Sequence, residues 1–136
     1  VSSKERSRKM AVIERDNVKS DFMELSGLTD SEAEVYAGLI TVCTEEVEKA
    51  LDAESVTDDS DKGICEFAAA AEVFYRFICL KATEYKVMCT AEGRAVEKFD
   101  EDGRIKAARE LRDSAASRAE RFFSGDGFMF SSVVAY

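Results

Sequence analysis

The stretch Thr29-Asp30-Ser31-Glu32-Ala33-Glu34-Val35-Tyr36-Ala37-Gly38-Leu39-Ile40-Thr41-Val42-Cys43 decides the fold class. Thr29 and Glu32 have the spacing of a capping box, in which the threonine oxygen accepts the Glu32 amide and the glutamate reaches back to the threonine amide. Leu28 and Ala33 flank the box as a weak hydrophobic staple. Further on, Tyr36, Leu39, Ile40, Cys43, Val47, Ala50 and Leu51 fall on one stripe, with Glu34, Thr41, Glu45, Glu48 and Asp52 elsewhere. The pattern predicts a helix from about Asp30 to Ala53.

Upstream, Met10, Ile13, Val18, Phe22 and Leu25 recur at helical spacing and stop at Ser26-Gly27, which predicts a first helix from roughly Ser3 to Leu25. Its basic start, Lys4, Arg6, Arg8 and Lys9, reads as a solvated, frayed terminus over residues 1–9. Downstream, the run from Glu54 to Ser60 breaks the period and supplies helix-starting residues. The segment from Asp61 to about Thr83 is apolar nearly all round and carries four alanines at 68–71, so it predicts a central helix.

From Glu84 to Phe99 the helical pattern weakens. Tyr85, Val87 and Cys89 alternate with Lys86, Met88 and Thr90, the pattern of a short β-hairpin, with an ordered loop or continuation of the helix to about Thr90 as the other readings. After Asp100, a last helix to Phe123 puts Ile105, Ala108, Leu111, Ala115, Ala119 and Phe122 on one face, with Asp100 as its cap and acids near its positive end. The final segment, 125–136, reads as an extended tail with Phe128, Phe130, Val134 and Tyr136 on one side. It either folds back over its own core or docks on a partner. The expectation is an all-α bundle of about four helices in one domain over 1–136.

Composition agrees. Proline is absent and only 7 glycines occur in 136 residues, so little interrupts helices or shapes the turns of an all-β fold. A net charge of -9 argues against sequence-specific nucleic-acid binding, which needs a basic surface. The stretch from Ile64 to Leu80 contains Glu66, Glu72 and Arg76 and is short for a bilayer span, so no membrane helix is expected. Val1 to Lys9 is polar with no apolar core after it, so no secretory leader is expected. Cys43, Cys65, Cys79 and Cys89 lack any CxxC spacing and mostly sit in apolar surroundings, which reads as core filler in a reducing compartment.

Histidine is absent, which removes the commonest general base and metal ligand. Aligning Gly63 to a calcium loop puts Lys62 and Ala69 at ligand positions, so that site fails. Glu45, Glu46 and Glu48 lack the i+3 histidine of carboxylate bundle metal sites and read as a solvated acidic face. Phosphate-binding glycine loops and nucleophile elbows are also missing. The expectation is a protein that is no enzyme and holds no metal or cofactor.

Charge is segregated along the chain. Thr29 to Asp61 holds eleven acidic residues and one lysine, whereas the last helix holds Arg104, Lys106, Arg109, Arg112, Arg118 and Arg121 against five acids. Acidic and basic faces on different sides would join copies head to tail, and such contacts close into rings when the rotation permits. Pairing of the same charges within one chain is the competing reading. The candidate partner interface is therefore Glu45 and Glu48 on the acidic side, Arg109 and Arg112 on the basic side, and Phe128, Phe130, Val134 and Tyr136 in the tail.

The succession Leu25-Ser-Gly-Leu-Thr-Asp-Ser-Glu-Ala-Glu-Val-Tyr-Ala37, an acidic helix, an alanine-rich helix with Phe74-Tyr75-Arg76-Phe77 and a closing Asp126-Gly-Phe-Met-Phe130 resembles small prophage-encoded proteins. These are the head-tail connector, or head-completion adaptor, proteins of long-tailed bacteriophages. The resemblance runs from about Leu25 to Phe130 and rests on helix pattern and composition. It implies a helical bundle assembled as a homo-oligomeric ring, typically of twelve copies, between the portal and a tail or stopper protein. It also implies a place at the head-tail junction of the virion, reached through the cytoplasm of the bacterial host, and contacts made by residues 127–136 and 85–99. A small acidic regulatory module that masks another protein is the alternative.

Overall fold

The computed structural model describes the backbone of residues 11–92 and 101–124, and side chains over 11–84 and 103–124. Among the described residues five helices form: α1 (Arg15–Ser26), α2 (Asp30–Glu34), α3 (Ala37–Ala50), α4 (Asp59–Glu92) and α5 (Glu101–Ala119), with 3-10 turns at Ala53–Ser55 and Glu120–Phe122. The fold is all-α, as the periodicity predicts. The β-type contact among the described residues is an isolated antiparallel bridge between Leu51 and Phe123.

The 34 residues of α4 make a rod of about 51 Å. Cys65, Ala68, Ala69, Ala70, Ala71, Val73, Phe77 and Ile78 are buried on several sides of it, because α1, α3 and α5 all pack against it. Small side chains let these neighbours approach closely. Buried residues of all five helices join one hydrophobic cluster that runs from Ile13 to Phe122.

Local chemistry sets several boundaries. Gly27 closes α1 with φ 78°, a left-handed conformation that costs glycine little, and its N–H donates to the Met23 carbonyl at 2.8 Å. The capping box forms as read: Glu32 N–H donates to Thr29 Oγ1 at 3.2 Å, and Thr29 N–H donates to Glu32 Oε1 at 2.9 Å. Thr29→Ala is expected to cost about 1 kcal/mol, measurable by chemical denaturation, because one amide donor of the first turn loses its acceptor. At the start of α4, Asp61 N–H donates to Asp58 Oδ1 at 2.9 Å, while Asp61 Oδ2 accepts from the amide and hydroxyl of Thr57.

Three boundaries differ from the sequence reading. α1 begins at Arg15 rather than near Ser3, and Ala11 to Glu14 is not helical. Glu48 accepts from the amides of Val12 and Ile13, and Glu66 Oε2 accepts from the amide of Glu14 at 2.9 Å. Distant carboxylates thus take the donors that a longer helix would have used internally.

The helix expected over 30–53 is broken at Val35–Tyr36 and stops at Ala50. The break accompanies an aromatic cluster in which Tyr36 meets Phe77 edge-on at 5.1 Å and Phe22 at 6.2 Å. At the other end Leu51 turns extended so that Asp52 N–H donates to the Phe122 carbonyl at 2.8 Å and Ser124 N–H donates to the Ala50 carbonyl at 2.9 Å.

Residues 85–92, for which the sequence leaves a hairpin, an ordered loop or helix continuation to about Thr90 open, continue α4 to Glu92, so the helical reading holds there. No glycine or proline lies between Gly63 and Gly93, so the helix runs on and the β-leaning alternation of Tyr85 and Val87 is overridden. The remainder of that segment up to Phe99, the proposed Asp100 cap, the frayed terminus at 1–9 and the tail at 125–136 lie outside the described residues.

Candidate functional site

The outward faces of the helices flanking α4 carry different charge. On α2, α3 and the segment that leads to α4, Asp30, Glu32, Glu34, Glu45, Asp52, Glu54 and Asp58 are exposed, as is Asp59 at the start of α4. On α5 and its terminal turn, Arg104, Lys106, Arg109, Arg118 and Arg121 are exposed beside Glu110, Asp113 and Glu120. Both α3 and α5 pack on α4. Among the described residues three large apolar side chains also reach the surface, Val35 most fully at 76% exposure, with Val42 and Leu80.

Part of the charge is spent inside the chain. Lys19 on α1 contacts Asp30 at 3.0 Å and Glu34 at 2.7 Å, tying α1 to α2. The Glu34 hydrogen bond, helped by Asp30, holds the Lys19 ammonium above its ordinary range. Arg121 reaches Asp61 at 3.9 Å, and Lys62 pairs with Glu14 at 2.7 Å. Asp61 is held below the usual carboxylate range, first by the Thr57 amide.

The expected interface residues do not converge. Glu45 is exposed on α3. Glu48 is half-buried and holds the Val12 and Ile13 amides, so its carboxylate serves the fold. Arg109 is exposed, with its guanidinium carbon 5.9 Å from the centre of the Tyr75 ring. Arg112 is not on the surface. It is the largest fully buried side chain among the described residues, at 0% exposure, and its guanidinium carbon stacks 4.4 Å over the same tyrosine ring. Phe128, Phe130, Val134 and Tyr136 lie outside the described residues.

Arg112 belongs to a charge network that the sequence reading missed. Its Nε lies 3.7 Å from Glu72 Oε1 and donates to Asp113 Oδ1 at 3.0 Å. Glu72, on the core side of α4, is 2% exposed at its side chain, and its other oxygen accepts from Arg76 Nε. Arg76 continues to Glu46 on α3, its Nη2 donating at 3.1 Å. The chain of charges therefore runs from α3 across α4 to α5. Burial pushes the Glu72 carboxyl above its ordinary range, against the opposite pull of Arg76 and Arg112. Glu72 Oε1 and both Arg112 Nη atoms make no hydrogen bond.

The Glu72–Arg112 pair is packed between α4 and α5, while Glu46 and Asp113 bring the two ends of the network to solvent. A cleft of about 340 Å³ lies elsewhere, lined by Ser60, Gly63, Ile64, Phe67, Ala115 and Arg118, with one ionisable group among them. Cys43 and Cys65 are buried, and burial raises their thiols to about 12 and about 11, so both stay protonated as small apolar fillers. Among the described residues no three His, Cys, Asp or Glu side chains group as a metal site, and no helix is long and apolar enough to cross a membrane.

Comparison of the chain with models of protein families, with curated proteins and with solved structures finds no match in any of the three.

Proposed function

We propose that this chain is a structural subunit of a virion: a head-tail connector that forms a ring between the portal and a tail or stopper protein of a long-tailed phage or prophage. It acts by contact, without a reaction of its own. The observation that carries this reading is the charge on the outward faces: acids on α2, α3 and the following turn, arginines and a lysine on α5. Two dissimilar faces on one subunit favour head-to-tail contacts between copies, which close into rings at a suitable rotation. The resemblance of the segment from Leu25 to Phe130 to connector proteins supplies the portal and tail as neighbours and the virion as the setting.

Native mass spectrometry and light scattering, with and without a portal protein of a long-tailed phage, test the reading. Higher oligomers or portal complexes are expected, weakening as salt screens the paired faces. Lys106→Glu with Arg118→Glu should weaken association at least tenfold while leaving the circular dichroism of the helices unchanged. Truncation after Asp126 should likewise preserve the bundle, because Phe122 and the Leu51–Phe123 bridge precede the cut, while weakening assembly. A chain that stays monomeric at every concentration and ignores the portal would overturn the proposal. A gene lying far from capsid, portal and tail genes would instead favour an acidic regulatory module.

A further inference from the structure

Val35 is the most exposed large apolar side chain among the described residues, and it stands at the break between α2 and α3. Glu32 and Glu34 are exposed beside it, so it forms an apolar knob with an acidic collar. The cleft between α4 and α5 has the opposite character. Ile64, Phe67 and Ala115 give it apolar walls, Ser60 and Gly63 add little bulk, and Arg118 is exposed on its α5 side. Arg112 and Arg121 use carboxylates of their own chain, whereas Arg118 pairs with none among the described residues. Asp58 and Asp59 are exposed on the α4 side, just before Ser60, so an incoming acid is favoured at the Arg118 edge alone.

Knob and cleft lie apart on the same chain. Tyr36, next to Val35, packs on Phe77, ten residues along α4 from Phe67, which is a rise of about 15 Å. We infer that Val35 of one copy seats in the Ile64–Phe67–Ala115 cleft of the next, its acidic collar against Arg118; this rests on the head-to-tail assembly proposed above and gives it a contact. Burial of the valine supplies the attraction, and the charges set which way round the knob enters. Because knob and cleft are different surfaces, each added copy leaves one knob and one cleft open until a ring closes.

Two variants test the contact. Val35→Ser removes the knob at an exposed position. Gly63→Leu fills the cleft, and a Cβ at Gly63 meets nothing within 4 Å, so the helix accepts it. Each alone should weaken self-association by about tenfold or more in light scattering, with the portal present where the parent chain needs it, and leave the helical circular dichroism unchanged. Mixed, the two should give a 1:1 dimer and nothing larger, since the pair holds one sound knob and one sound cleft. A small diazirine amino acid at position 35 of the Gly63→Leu chain traps that dimer, and its crosslinks should fall in residues 60–67 or 115–118 of the Val35→Ser chain. Crosslinks elsewhere, or single variants that assemble as the parent does, would overturn the contact and leave the head-to-tail assembly standing. Gly63→Leu acting while Val35→Ser does not would show that the cleft takes another segment, residues 125–136 included, and would overturn it equally. A parent chain that never associates, with or without a portal, would remove the contact and the assembly together.

Discussion

Replacing Phe22 with alanine is expected to lower stability by about 3–5 kcal/mol, roughly 10–20 °C in Tm. Phe22 is fully buried, and its ring meets Phe77 of α4 edge-on at 5.5 Å and Tyr36 at 6.2 Å. Truncation removes the apolar area of a whole ring and leaves a cavity where α1, α4 and the α2–α3 junction meet. Edge-to-face pairs add to the loss beyond the area term. Denaturant unfolding followed by circular dichroism measures it. Val35→Ala is the control, because Val35 is largely exposed and its loss should change stability by less than about 0.5 kcal/mol. Similar midpoints for the two variants would mean that the aromatic cluster is not a core element.

Glu72→Ala is expected to be as damaging, about 3–5 kcal/mol, for a different reason. The carboxylate lies between Arg76 and Arg112, and its removal leaves the Arg112 guanidinium, which has no exposed surface, with Asp113 as its one remaining carboxylate. Water cannot reach Arg112 without prying α5 from α4. Glu46→Ala, at the half-exposed end of the same network, should cost less than about 1 kcal/mol, since Arg76 keeps Glu72 and solvent screens the lost pair. A Glu72→Ala midpoint equal to that of Glu46→Ala would show that the buried pair contributes nothing in place.

What was legible in the sequence was what short-range chemistry decides. The Thr29–Glu32 box, the Gly27 stop and the apolar belt of α4 each follow from residues a few positions apart, and all three are present. What long-range contacts decide was not legible. The early end of α3 depends on Phe122 and Ser124, more than seventy positions away, and the late start of α1 depends on Glu48 and Glu66. The interface candidates show the same division. Glu45 and Arg109 are at the surface as read, whereas Glu48 is turned to the Val12 and Ile13 amides and Arg112 is enclosed.

A signal for Arg112 did exist. It sits four residues after Ala108 and three before Ala115, on the apolar stripe of α5, and Glu72 interrupts the apolar run of α4. An acid and a base each placed on a greasy face are a reason to pair them. The charge count of the last helix masked that spacing.

The Leu51–Phe123 bridge also has a mechanical consequence. Tension applied to the chain beyond Ser124 would arrive first at its bonds with Ala50 and at the Phe122 carbonyl bonded to Asp52. The load would pass into the end of α3 before it could peel α5 from the bundle, so these few hydrogen bonds are the clamp at which pulling on that end is first resisted.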